Sequence, residues 1–166
     1  MQPDHAPRIA SLIPSGTDVV VALGLADHLV GVSHECDHPA AEGLPVLTAS
    51  VIDAAGRPGS PVPGEVDRQV TATVRAGDSL YIADRERLAD LRPDLVLSQD
   101  VCDVCAVEGR QAAEGLPPGA ELVMLRATGL AGLEADLRRV ATAAGVSDRG
   151  EHLVADVRRG LDTVRR

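Results

Sequence analysis

The feature that most restricts this chain is the alternation of short aliphatic runs with helical stripes. Residues 8–13 read Arg-Ile-Ala-Ser-Leu-Ile and stop at Pro14; residues 29–33 empty into His34-Glu35-Cys36-Asp37-His38; residues 95–98 follow Pro93-Asp94. A further run covers residues 121–125. Runs this short and this apolar fit strands buried on both faces. Strand and helix in repeated succession require crossover connections, and so predict an α/β fold with a Rossmann-like parallel sheet flanked by helices.

The helices are predicted from spacing and punctuation. Ser15-Gly16-Thr17-Asp18 reads as a capping box before a helix that begins at Val19 and closes near Gly24. Residues 45–48 are a further short strand, whereas Gly56, Pro58, Gly59, Pro61, Pro63 and Gly64 make residues 53–64 irregular. Val66, Val70 and Val74 lie on one stripe of a helix over 65–76, and Asp84 is placed to cap another over 85–91 with Leu88 and Leu91 inward. A helix is expected over 106–114. Leu130, Leu133, Leu137 and Val140 mark the next, and Leu153, Val157, Leu161 and Val164 share a stripe in the last segment. The expected organisation is one lobe over 8–146 followed by a long helix over 147–166.

Composition narrows the core and the partners. The 166 residues include no Phe or Trp and a single aromatic, Tyr81, so Val, Leu, Ile and Ala must fill the interior. The 25 acidic residues outnumber the 16 basic ones, all of them Arg, for a formal charge of -9. A nucleic-acid backbone is therefore an unfavourable partner. The first residues carry neither a basic nor an apolar leader pattern, and no run approaches the length of a membrane span, which reads as a cytoplasmic chain. Three cysteines, an odd number, argue against a disulfide framework.

In open parallel sheets ligands collect outside the carboxyl ends of the strands. Three loops qualify: 14–18 with Pro14, Ser15 and Gly16; 34–39 with His34, Glu35, Cys36, Asp37 and His38; and 99–105 with Cys102, Asp103 and Cys105. The Cys102/Cys105 spacing suits two thiolates on one zinc, and Cys36, His34 or His38 would complete the set if the loops meet. The plainer alternatives are packing cysteines, a turn in which Asp37 caps the segment at Pro39, and an ordinary helix cap at Ser15 to Asp18. No Ser/His/Asp set or carboxylate pair stands out, so the chain reads as non-catalytic.

In order, Arg8-Ile-Ala-Ser-Leu-Ile-Pro-Ser-Gly-Thr-Asp18, Val30-Gly-Val-Ser-His-Glu-Cys-Asp-His-Pro39 and Leu88-Ala-Asp-Leu-Arg-Pro-Asp-Leu-Val-Leu97 resemble one known family. It is the N-terminal lobe of the cobalamin-binding and iron-siderophore-binding proteins of ABC importers. The His-Glu-Cys-Asp and Cys-Asp-Val-Cys-Ala-Val segments look like a cobalamin-binding subgroup. The resemblance implies two such lobes joined by a backbone helix, a corrinoid or related metal chelate held between them, and a periplasmic or extracellular setting. It places the second lobe outside this chain, which leaves half a cleft and makes a homodimer through an exposed Leu153/Val157/Leu161 stripe one expectation. It puts residues 34–38 where family members present aromatic side chains to the corrin ring, so that His34 or His38 would approach the cobalt or a polar corrin edge. It also puts Glu108 where the family docks on its ABC permease. An intracellular zinc-binding lobe using His34, Cys36, Cys102 and Cys105 is the competing reading.

Overall fold

A computed structural model describes residues 7–52, 63–76, 78–99, 113 and 115–165. Strands β1 (Ile9–Ser11), β2 (Leu29–Gly31), β5 (Leu95–Gln99) and β6 (Glu121–Leu125) form a parallel sheet in the order β2-β1-β5-β6. Strands β3 (Thr48–Ser50) and β4 (Tyr81–Ala83) pair antiparallel in a separate two-stranded sheet. The described helices are α1 (Pro14–Ala22), α2 (Pro63–Ala76), α3 (Arg85–Leu91), α4 (Leu130–Ala143) and α5 (Ser147–Val164). The expected α/β class, with a parallel sheet between helices and a long last helix, is what the chain adopts.

Alternation along the strands divides the interior into two layers. Ile9, Leu95, Leu97 and Val123 face α1, α4 and α5, meeting Val20, Leu23, Val140, Ala141 and Val154. Ala10 and Val96 face the other way, onto Leu88 of α3 and Leu47 at the edge of the small sheet. Every one of these residues is nearly or wholly excluded from solvent. Aliphatic side chains fill nearly all of both layers, with Tyr81 packed at the margin of the second, which is how the chain forms a core with one aromatic residue.

Several local expectations change. The first helix starts at Pro14 rather than after the polar quartet: Pro14 occupies the first turn, Ile13 is the N-cap, and no side chain caps it. Proline's fixed φ and missing N–H suit that first position, so the Ser15 to Asp18 capping box is not formed. Gly16 is buried, and a Cβ there would stand 2.6 Å from Ser11 Oγ, so the close packing of α1 requires glycine. Gly24, at φ +71, ends the helix as expected. Pro63 and Gly64, expected to be irregular, open α2 instead. Residues 45–48 contribute only a parallel bridge, Val32 to Val46, before β3 begins at Thr48. Strand β4 had no counterpart in the sequence reading.

Asp84 caps α3 as expected, its Oδ1 accepting from the Arg87 amide at 2.9 Å. The last helix is seated differently from its predicted stripe. Its innermost residues are Gly150 and Val154, with Leu153 and Val157 packed against the core, while Val164 is 86% exposed. A Cβ on Gly150 would stand 2.5 Å from Ala141 Cβ, so this glycine permits the close approach of α5 to α4. The Leu153/Val157 surface thus covers this lobe instead of forming a free face. On the outer side, Arg158 Nε donates to Glu134 Oε1 at 2.7 Å, and Arg138 holds Glu151 through Nε at 2.7 Å and Nη2 at 3.1 Å. These hydrogen bonds hold the Glu134 and Glu151 carboxyls below their usual range.

Candidate functional site

The strand order places the site. From β1 the chain moves outward to β2, and β5 and β6 lie on the other side of β1, so the topological switch falls between the carboxyl ends of β1 and β5. A hollow of about 40 Å³ lies there, walled by Ile13 and Pro14 after β1, Ser33 and His34 after β2, and Gln99 at the end of β5. Thr48 of β3 and Tyr81 of β4 close its far side. The small sheet therefore supplies a wall of the site.

One threonine hydroxyl organises the centre. The His34 amide donates to Thr48 Oγ1 at 3.0 Å, His34 Nδ1 lies 2.6 Å from the same oxygen, and Ser33 Oγ lies 3.2 Å from it. Ser33 Oγ also accepts from the Glu35 amide at 3.3 Å. Ser33 and Thr48 are buried. The other imidazole nitrogen, His34 Nε2, is shut off from solvent and makes no hydrogen bond. Glu35 Oε1 is 3.3 Å from it, but that contact is not aligned as a hydrogen bond. The ring tilts against Tyr81, with centroids 5.2 Å apart and planes at 51°.

The remaining predicted residues divide. Pro14 lines the hollow, Ser15 is exposed, and Gly16 turns into the packing between α1 and the sheet. Asp37 is exposed, and the cap expected of it belongs to His38, whose Nδ1 accepts from the Ala40 amide at 3.0 Å and starts a short 3-10 turn over Pro39–Ala41. Imidazole takes the role because its ring nitrogen reaches the amide two residues on. Cys36 is a half-buried free thiol. Cys102, Asp103, Cys105 and Glu108, and the helix expected over 106–114 apart from Ala113, lie outside the described residues. Among the described residues no three His, Cys, Asp or Glu groups converge as a metal set.

Thr48 and Tyr81 were not singled out as site residues from the sequence. Tyr81 carried one signal, as the single aromatic in the chain. Thr48 carried none, since its role depends on a strand pairing between segments far apart in sequence.

A groove of about 750 Å³ lies at the opposite, amino end of the strands, between α3 and residues 115–120. Its Arg85 and Arg92 are offset by Glu86 and Asp94, and Asp94 already accepts from the Arg8 amide at 2.8 Å. Size alone does not make it the site. The smaller hollow has the switch-point position and the buried polar centre.

Comparison with known proteins gives a consistent frame. The family model described as periplasmic binding protein matches residues 9–166. No curated protein sequence matches. Among solved structures, a possible iron-binding (periplasmic solute-binding) protein from Staphylococcus epidermidis is similar at 18% identity and a TM-score of 0.64, over 96% of this chain and 51% of that one. The periplasmic heme-binding protein RhuT from Roseiflexus sp. RS-1 is similar at 23% identity and 0.62, over 97% and 49%. The periplasmic vitamin B12 binding protein BtuF of Vibrio cholerae gives 20% and 0.57, over 96% and 50%. The chain spans about half the length of these structures. At such identities the likeness establishes the fold.

Proposed function

Because this chain belongs to the periplasmic binding protein family, we propose that it is one wall of a non-catalytic binding site for a metal-centred macrocycle of the corrinoid class, delivered to an ABC importer. The observation that carries this reading is the His34/Tyr81 pair at the carboxyl end of the sheet, 5.2 Å between ring centroids. A flat, partly unsaturated macrocycle needs an apolar rest and a few polar groups at its rim. Tyr81, Pro14 and Ile13 offer the first, and the imidazole edge of His34 offers the second. The described hollow is far smaller than such a ligand, which fits a surface that the ligand crosses rather than a pocket that swallows it.

Affinity should come from two walls, since one wall covers one face of the ligand. Delivery implies a permease, with Glu108 as the proposed docking residue, and a setting outside the cytoplasm. The family relationship supports both. Among the described residues no helix is long and apolar enough to cross a membrane.

The test is a titration of the chain with cyanocobalamin, aquocobalamin and hemin, followed by visible absorption and calorimetry. Saturable binding of either cobalamin with a spectral shift, weakened by Tyr81→Ala, supports the corrinoid reading. Binding of hemin alone moves the class to haem, and silence of all three up to about 100 μM, a level at which even a weak single-wall site would register, removes the macrocycle reading.

A further inference from the structure

We infer that His34 is held by Thr48 as an Nε2–H hydrogen-bond donor, so that it meets the rim of the ligand as a donor and does not bind its metal. The inference rests on the corrinoid reading for the ligand's identity, but the proton's place follows from this chain alone.

A threonine oxygen has one hydrogen and two lone pairs. At Thr48 Oγ1 the His34 amide, which can only donate, takes one lone pair. One hydrogen and one lone pair remain for Ser33 Oγ and His34 Nδ1. In the first arrangement Thr48 donates to Nδ1 while Ser33 donates to Thr48. Ser33 then accepts from the Glu35 amide, so the hydrogens of both buried hydroxyls find acceptors. Nε2 carries the ring proton, and the Glu35 carboxylate stands 3.3 Å away, off the hydrogen-bond direction.

In the alternative, Nδ1–H donates to Thr48 and Thr48 donates to Ser33. The Ser33 hydrogen is then left without a described acceptor inside a buried site, which is unfavourable. The bare lone pair of Nε2 would also lie close to the carboxylate, lone pair near negative charge. The first arrangement also leaves one buried donor unpartnered, Nε2–H, but beside a carboxylate that attracts it. The second leaves the Ser33 hydrogen unpartnered and adds a lone pair next to that negative charge, so the first prevails.

His38 reaches the same tautomer by an independent route. Its Nδ1 accepts from the Ala40 amide, so in the neutral ring the proton must sit on Nε2. A metal needs an unprotonated ring nitrogen. Both imidazoles of residues 34–38 have their free Nδ1 lone pair committed inside the protein. What His34 retains is a buried N–H without a hydrogen bond, beside an exposed Glu35 side chain. A peripheral carboxamide oxygen of a corrinoid would accept from that N–H, with the Glu35 carboxylate displaced to make room. Thr48 is a positioning residue in this scheme, and His34 the group that touches ligand.

The experiment labels histidine with 15N in the full chain and records long-range 1H–15N correlations at about pH 8, where a free imidazole is neutral. The expected result is a protonated Nε2 and an unprotonated Nδ1 for His34. Thr48→Val should mix the tautomers, and Thr48→Ser should restore the original pattern, which separates loss of the hydroxyl from loss of the fold. In binding, cyanocobalamin and aquocobalamin should agree within about threefold, His34→Gln should keep affinity within about threefold because it retains a donor, and His34→Ala should weaken it about tenfold. An unprotonated Nε2 in the free protein would overturn the inference. So would aquocobalamin binding at least about tenfold tighter than cyanocobalamin with a cobalt-imidazole spectrum that His34→Ala abolishes. If neither cobalamin binds, the corrinoid reading falls while the nitrogen shifts still decide the tautomer.

Discussion

The two sheets of this molecule are built on opposite terms. In the four-stranded sheet nearly every side chain of β1 and β5 is buried, and strand register follows from which residues each layer needs. In the two-stranded sheet half the surface is open: Ile82 is 50% exposed, Ala49 opposite it is exposed, and the pair depends on its neighbours for stability. Yet the weaker sheet carries Thr48 and Tyr81, the two groups that fix and flank His34. The rigid layer sets where the site is, and the lighter one sets its chemistry. Stability and recognition are therefore separable by mutation here.

The largest effect should fall on the parallel sheet. Leu97→Ala, at a wholly buried position, should cost about 3 kcal/mol in urea unfolding. A loss below about 1 kcal/mol would mean that the layers repack freely and would break the contrast between the sheets. Next comes the seam. A Cβ on Gly31 would stand 2.6 Å from Leu47 Cδ1 and 3.1 Å from Leu91 Cδ1, so Gly31→Ala should cost about 1–2 kcal/mol by pushing Leu47. Because Leu47 immediately precedes Thr48, the same variant should also disturb the histidine nitrogen shifts, linking the sheets through one side chain.

Thr48→Val comes third, at about 1 kcal/mol, since it strands the His34 amide and a buried serine hydroxyl. Amide exchange should accelerate at His34 while the β5 and β6 amides stay protected; uniform acceleration would show that the small sheet unfolds only with the whole molecule. The smallest effect lies outside both sheets. Glu134 and Glu151 have carboxyls lowered from 4.5 by Arg158 and Arg138. Their contribution is complete above the ordinary carboxylate range and is lost as pH falls below about 4.5 through the lower folded-state values. Thermal melts from pH 7 to 3 should show the wild type losing slightly more stability than Glu134→Gln, and 1 M salt should narrow the gap because the Arg158 partner is solvent-exposed.

How much of this was legible follows the same division. β1 and β5 stood out because burial on both faces demands continuous aliphatic runs, β6 because its apolar run survives partial burial, and α3 because Asp84 announces its start. β4 was invisible: Tyr81-Ile-Ala83 lies on an exposed strand whose pairing partner is far away in sequence, so no local pattern had to be written into it. The loop over residues 34–38 was found by its position after a strand. Its internal order was not, because His38 took the cap expected of Asp37 and Thr48 arrived from another sheet. Sequence spacing locates a strand end well. It says little about which hydroxyl will meet an imidazole.

The outer strand of the parallel sheet has one more consequence. Asp136, buried on α4, accepts from the Arg126 and Ala127 amides at 2.7 and 2.8 Å and from Arg139 at 2.7 Å. Arg139 in turn donates to the Met124 carbonyl at 2.8 Å. Three backbone groups at the end of β6 are thus spoken for before any other chain can approach. An aliphatic strand on a sheet margin invites a neighbouring molecule to add itself and begin a fibril. Here one end of that margin is occupied by a single carboxylate and its arginine, and Asp136→Ala should make the protein more prone to self-association at concentrations it otherwise tolerates.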